Sequence, residues 1–292
     1  MSVSEDDGRT WQELPCPPLH DLRLLLAGAY AWLVESTPAD HWQPLVNLTA
    51  PLGACRLLAG HTLLFSCYAG LQSYSLVDGT RQVLLAGSEG HVAHLALRQA
   101  GARCQLWAAK ANASGLQYSP DGGANWQELP SPFGILPLVA LEAVADRLLA
   151  ATYDPRQYQV CLWYSIDDGQ TWTRSLEAST RWPLVTTCAQ PAAVSIGNLL
   201  FLERAAGQWQ KITVGHDGGA IRRVLSSRQA GQTILYVLTT TGIQVSTDLG
   251  ASWRQENEGL PVEYVLDIAL VGTSLTILLT GGRVWQRELQ SE

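Results

Sequence analysis

The sequence predicts an all-β chain that repeats one small antiparallel sheet, and three observations carry that prediction. An eight-residue pattern, Ser-x-Asp-x-Gly-x-(Thr/Asn/Ser)-Trp, occurs four times in the 292 residues. Strand-like alternating runs flank it, as in Gly242-Ile243-Gln244-Val245 before the last copy and Trp253-Arg254-Gln255-Glu256 after it. The copies begin at Ser4, Ser119, Ser165 and Ser246, so their spacings are 115, 46 and 81 residues. Divided by three and two, the long gaps give about 38 and 40 residues, close to the ~40 to 50 of a four-stranded propeller blade.

Each copy reads as a turn inside a β-unit. The four are Ser4-Glu5-Asp6-Asp7-Gly8-Arg9-Thr10-Trp11, Ser119-Pro120-Asp121-Gly122-Gly123-Ala124-Asn125-Trp126, Ser165-Ile166-Asp167-Asp168-Gly169-Gln170-Thr171-Trp172 and Ser246-Thr247-Asp248-Leu249-Gly250-Ala251-Ser252-Trp253. An Asp two residues after the Ser can accept hydrogen bonds from the turn's own N–H groups, and the Gly two further on takes φ > 0 without a Cβ clash. The closing Trp opens the next strand as an apolar wedge whose indole N–H needs an acceptor.

The long gaps predict degenerate copies, and three stretches fit: Ser36 to Trp42, Ser75 to Thr80 and Glu203 to Trp209. Strands following the turns then begin near residues 10, 41, 80, 125, 171, 208 and 252, which gives a seven-bladed β-propeller of four-stranded antiparallel blades. Six or eight blades are the alternatives, because residues 19 to 46 read one strand short. The last segment supplies three strands, Tyr264 to Val271, Ser274 to Leu279 and Arg283 to Leu289. A fourth, Thr10 to Leu14, is expected to join them and close the ring, removing exposed sheet edges. Residues 1–292 are expected to form one propeller domain.

Composition bounds the function. With 47% hydrophobic and 15% charged residues the chain can bury a core. Its net charge of -7, with cations scattered and only Lys110 and Lys211 as lysines, lacks the basic footprint of a nucleic-acid or anionic-membrane binder. The acidic N-terminus offers no leader pattern, and no apolar run approaches the ~20 residues that span a bilayer, so a cytoplasmic location is expected. Six widely spaced cysteines, with no C-x-x-C, read as buried hydrophobes. His91 and His94 stand three apart on a strand, facing opposite ways, and cannot chelate one ion. No metal or cofactor is expected.

The Ser-x-Asp-x-Gly-x-x-Trp turns resemble the Asp-box, or BNR repeat, of sialidases, sortilin-type receptors, certain glycoside hydrolases and photosystem assembly factors of the Ycf48 type. The resemblance covers nearly the whole chain and implies that each box lies between the third and fourth strands of a blade, opposite the usual ligand face. It implies a structural role for Ser4, Asp6, Gly8 and Trp11; for Ser119, Asp121, Gly123 and Trp126; for Ser165, Asp167, Gly169 and Trp172; and for Ser246, Asp248, Gly250 and Trp253. A sialidase would also need three converging arginines, and its Arg-Ile-Pro signature is absent from this chain.

The other face of a propeller carries the loops joining second to third strands and blade to blade, where ligands bind. There the sequence offers Tyr153, Asp154, Arg156, Arg181, Trp182, His216 and Asp217. Apolar inner strands add Glu142, Arg222, Glu263 and Asp267. Two functions follow. A non-catalytic propeller would bind a protein or a small ligand, such as a carbohydrate, through Tyr153, Arg156, Arg181, Trp182, His216 and Arg222. A carbohydrate hydrolase or lyase would instead draw its acid and base from Glu142, Asp154, Asp217, Glu263 and Asp267, spaced roughly 5 to 9.5 Å apart.

Overall fold

The alternating apolar runs form strands in the computed structural model of the chain, and no helix occurs among the described residues. The structure describes the backbone of residues 2–3, 12–13, 23–27 and 30–34. It also describes residues 54–288 apart from 59–61, 68–69, 76, 87–91, 101–102, 111–114, 145, 182, 190, 206, 216–218, 230, 259, 261–264, 272–273 and 280–283.

In chain order, β1 (Ser2–Val3) pairs with β2 (Gln12–Glu13), and β3 (Arg23–Ala27) with β4 (Tyr30–Val34). Five four-stranded antiparallel sheets follow, each ordered as the chain runs. They are β5 (Cys55–Leu58), β6 (Thr62–Cys67), β7 (Gly70–Ser75) and β8 (Arg81–Ala86); β9 (Val92–Ala100), β10 (Arg103–Lys110), β11 (Leu116–Ser119) and β12 (Gln127–Leu129); β13 (Leu138–Val144), β14 (Arg147–Asp154), β15 (Gln159–Ser165) and β16 (Thr173–Ser179); β17 (Val185–Ala189), β18 (Ala192–Ile196), β19 (Leu199–Ala205) and β20 (Gln208–Ile212); and β21 (Ile221–Gln229), β22 (Gln232–Thr239), β23 (Gly242–Ser246) and β24 (Arg254–Gln255). A three-stranded sheet, β25 (Val265–Val271), β26 (Ser274–Leu279) and β27 (Val284–Glu288), ends the series. Five of the expected strand starts thus fall at the fourth strands β8, β12, β16, β20 and β24. The expected closing strand behaves differently: Gln12 and Glu13 pair with Val3 and Ser2, and β1, not β2, lies beside β27.

The chain divides into two compact units. In the unit of residues 50–58 and 62–212, first strands stand side by side, β5 against β9, β9 against β13 and β13 against β17. In the unit of residues 1–49, 59–61 and 213–292, β21 lies against β25 and β25 against β3.

Sheets stacked in this way must be apolar on both faces, which explains why second strands read as unbroken hydrophobic runs. On β14, Leu148 and Ala150 pack toward β9–β12 with Trp107, Leu116 and Leu141, whereas Leu149 and Ala151 pack toward β17–β20 with Val194, Ile196 and Phe201. Period-two alternation therefore puts one strand into two cores. Each fully buried Leu contributes about 1.5 to 3 kcal/mol.

Candidate functional site

Two ends of these sheets differ in chemistry. The three described boxes lie between β11 and β12, β15 and β16, and β23 and β24, each joining a third strand to a fourth. Their geometry is nearly superposable. Ser119, Ser165 and Ser246 donate Oγ–H to Asp121, Asp167 and Asp248 at 2.8 Å. The same oxygens accept the N–H of Gly123, Gly169 and Gly250 at 2.8 Å. Asn125, Thr171 and Ser252 then donate side chain and backbone to the carboxylate. These donors hold the pKa of all three aspartates below the carboxylate range, that of Asp248 pushed down to about 2.

Two of the boxes, those beginning at Ser119 and Ser165, also clamp the preceding sheet. Trp126 Nε1 donates to the carbonyl of Leu84 on β8. Arg98 and Gln105 donate to the Asp168 carboxylate, and Trp107 Nε1 to the Asp168 carbonyl. The degenerate corner at Glu203 does the same work with other groups. Glu203 accepts Gly207 N–H at 2.7 Å and forms a two-bonded pair with Arg147 of β14, while Trp209 Nε1 donates to Ser175 Oγ. At Ser75 to Thr80, Asp78 accepts the Thr80 N–H and hydroxyl. The Ser4 box (Ser4, Asp6, Gly8, Trp11) and the Ser36 corner lie outside the described residues.

First strands carry the second group of polar side chains. Four of them contain an extra residue near their start, Ala93 in β9, Val139 in β13, Arg222 in β21 and Leu266 in β25. Such bulges re-aim the next side chain, and three of those are His94, Arg223 and Asp267. Arg223 grips Asp267 from the neighbouring sheet with Nε to Oδ1 at 2.8 Å and Nη2 to Oδ2 at 2.5 Å. In the other unit, Arg56 of β5 reaches past β9 to Glu142 of β13, Nη2 to Oε2 at 3.0 Å. His94 Nε2 lies 2.8 Å from the Leu138 carbonyl, and burial, with some help from the Arg56 charge, pushes its pKa down despite that hydrogen bond. His94 is therefore neutral at pH 7, and its bond to the carbonyl assigns the proton to Nε2.

The loop end of the β13–β16 sheet gathers the remaining predicted residues. Antiparallel registers place the connections 130–137, 155–158 and 180–184 at one end, with Asp154 paired to Gln159 and Gln159 to Ser179. Backbone bonds tie them, from Tyr153 N–H to the Pro137 carbonyl and from Thr180 N–H to the Tyr158 carbonyl. Asp154 Oδ1 caps the 155–158 turn by accepting the N–H groups of Arg156 and Gln157. Arg156 and Arg181 are exposed, and Tyr153 packs partly into the core.

Three catalytic candidates are therefore described, and each is engaged: Glu142 by Arg56, Asp267 by Arg223, and Asp154 by its own turn. Trp182, His216, Asp217 and Glu263 lie outside the described residues. Arg222 falls on a bulge, and it is Arg223 that makes the bidentate pair with Asp267. Sequence reasoning missed Arg56 and Arg147, and between the adjacent Arg222 and Arg223 it placed Arg222 among the site candidates. The signal that singled out Glu142, a lone charge in an apolar inner strand, is equally present at Arg56 in Cys55-Arg56-Leu57-Leu58.

No family model and no curated protein matches the chain. Solved structures do. The extracellular domain of BT4673 from B. thetaiotaomicron aligns at 12% identity and TM-score 0.63 over 95% of this chain, which spans only 40% of that one. YCF48 from Cyanidioschyzon merolae aligns at 12% identity and TM-score 0.62, covering 95% of this chain and 98% of that one. A catalytically inactive virginiamycin B lyase from Staphylococcus aureus with quinupristin aligns at 12% and 0.61, covering 91% and 98%. BBS1N in complex with ARL6DN aligns at 12% and 0.64, covering 95% and 94%. Identities this low show the fold alone, and the fold these neighbours share is the β-propeller.

Proposed function

We propose that the chain is a non-catalytic Asp-box propeller of seven blades, closed through its N-terminal segment, that acts in the cytoplasm as a binding or assembly scaffold. The box corners and ion pairs hold the sheets together, and the loop end opposite the boxes binds the partner. One observation carries this reading: the three described candidates for acid or base, Glu142, Asp154 and Asp267, are each committed to a cation or to backbone donors, while Arg156, Arg181 and apolar side chains at the loop end face solvent. A neighbour such as BBS1N, solved in complex with ARL6DN, supports a protein as the partner. The matched lyase establishes catalysis for that protein, and its likeness here is one of fold.

The test is direct. Purified protein is incubated with sialosides and a panel of oligosaccharides, and released sugar is measured. No turnover is expected. Turnover that disappears in Glu142→Gln or Asp267→Asn overturns the scaffold and establishes a carbohydrate-active enzyme.

A further inference from the structure

Large apolar side chains left in water on a well-packed molecule mark a place where something else covers them. Among the described residues six are exposed, and three of these, Ile135 (92%), Tyr158 (53%) and Leu184 (41%), belong to the three connections at the loop end of β13–β16. The clustering is set by topology, since Ile135, Tyr158 and Leu184 are 23 and 26 residues apart in sequence and come to one sheet end only because the strands alternate in direction.

Tyr158 adds an independent observation. Its φ is 54, in the left-handed region that an aromatic side chain rarely occupies. The strain is held by the Asp154 cap on one side and by the bond from Thr180 N–H to the Tyr158 carbonyl on the other. That arrangement fixes the backbone and leaves the residue 53% exposed, outside the apolar core clusters, so the strain does not serve core packing. Strain maintained around an exposed aromatic points to a contact outside the chain.

The charges around the ring choose the partner. Arg156 and Arg181 are exposed, and neither side chain is paired among the described residues. The nearby carboxylates are occupied, Asp154 by the turn and Glu177 by Arg174 and Gln159. A chain of net charge -7 thus presents two unpaired cations beside a rigid Tyr and two aliphatic side chains. Tyr and Arg are the side chains that most often dominate binding energy at interfaces.

We infer that the loop end of β13–β16 docks an acidic segment of a partner protein, in which an apolar anchor packs on Tyr158, Ile135 and Leu184 between carboxylates held by Arg156 and Arg181. The inference rests on the scaffold reading and narrows it to one sheet end and one partner chemistry.

A random-peptide phage library panned on the full chain tests it. Enriched peptides are expected to carry an aliphatic or aromatic residue flanked by Asp or Glu. Their synthetic forms should lose about tenfold or more in affinity in Arg156→Glu/Arg181→Glu and in Tyr158→Gly, and should weaken in high salt. Both variants alter exposed positions, and an unchanged circular dichroism spectrum together with a Tm no lower than that of the parent confirms that they fold. Absence of enrichment, enrichment without acidic bias, or affinity unchanged in both variants overturns the inference. Peptides that still bind both variants, but are lost on substitutions elsewhere, remove this site and leave the scaffold; only sugar turnover in the assay above removes both.

Discussion

Two turns of the same sheet, β13–β16, put a non-glycine residue in the left-handed conformation, Asp168 in the box and Tyr158 at the loop end, with φ of 58 and 54. The backbone cost is similar, about 1 to 2 kcal/mol each. At Asp168 the strain is offset within the molecule, because the carboxylate receives Arg98 and Gln105 and its carbonyl receives the Trp107 indole. At Tyr158 only the carbonyl is used by the chain, and the residue is 53% exposed. The same conformation therefore serves cohesion at one end and is available for recognition at the other.

The largest effect that would sharpen this contrast lies at a box-end corner without a box. Glu203 is nearly buried, and Arg147→Ala would leave its carboxylate without its cation, a loss of about 3 kcal/mol in unfolding free energy. Arg147 chiefly, together with Gly207 N–H, holds the Glu203 pKa below its ordinary value. A carboxylate whose folded pKa is depressed stabilises the fold above the unfolded value, about 4.3, and loses that contribution as pH falls through the folded one. Urea midpoints measured from pH 7 to 3 should therefore drop less steeply in the variant than in the parent. An Arg147→Ala protein as stable as the parent at pH 7 would mean that this corner clamps nothing.

Second is a pair of glycines. A Cβ on Gly169, at φ 92, would stand 2.9 Å from Leu129 Cδ1 and 3.5 Å from Leu148 Cδ1, both in the core. A Cβ on Gly134, at φ 60 in the 130–137 connection, meets nothing within 4 Å. Gly169→Ala should cost about 2 kcal/mol or more and Gly134→Ala about 1 kcal/mol, from conformation alone. Equal costs by thermal melting would erase the difference between packed and open ends.

The glycines also show what was legible in the sequence. The boxes announce themselves because Ser165, Asp167, Gly169 and Thr171 satisfy one another within seven residues, so their spacing records the hydrogen bonds. Strand positions followed from the same local repetition. Long-range pairs left no such record. Arg147 meets Glu203 across 56 residues and Arg56 meets Glu142 across 86, and no spacing rule connects them. The bulges at Val139, Arg222 and Leu266 were equally hidden, because one extra residue in a run of β-formers changes register without changing composition. Tyr158 was concealed for the opposite reason: its identity argues against the backbone it adopts, and only tertiary bonds hold it there.

The third effect has the reverse sign. Tyr158→Gly removes the left-handed penalty and an exposed ring, so stability should hold or rise by up to about 1 kcal/mol. Partner affinity should fall at the same time. A destabilised variant in differential scanning calorimetry would show that the ring packs against the chain and would dissolve the distinction between Tyr158 and Asp168.

The smallest effect separates charge from hydrogen bonding in the cap of that loop. Asp154 Oδ1 accepts Arg156 N–H at 2.8 Å and Gln157 N–H at 3.4 Å, an arrangement that an Asn carbonyl can reproduce. Asp154→Asn should leave Tm within error. It should also leave peptide affinity unchanged or raise it slightly, because removing a carboxylate beside Arg156 favours an acidic ligand. Asp154→Ala should lower stability by only about 0.5 to 1 kcal/mol, the scale of a lost cap, yet weaken binding more than Asn does, because the turn that presents Tyr158 is no longer fixed. If Asn and Ala weaken binding equally, the carboxylate itself contacts the partner, and the loop end works through its charge instead of through a strained, preorganised turn.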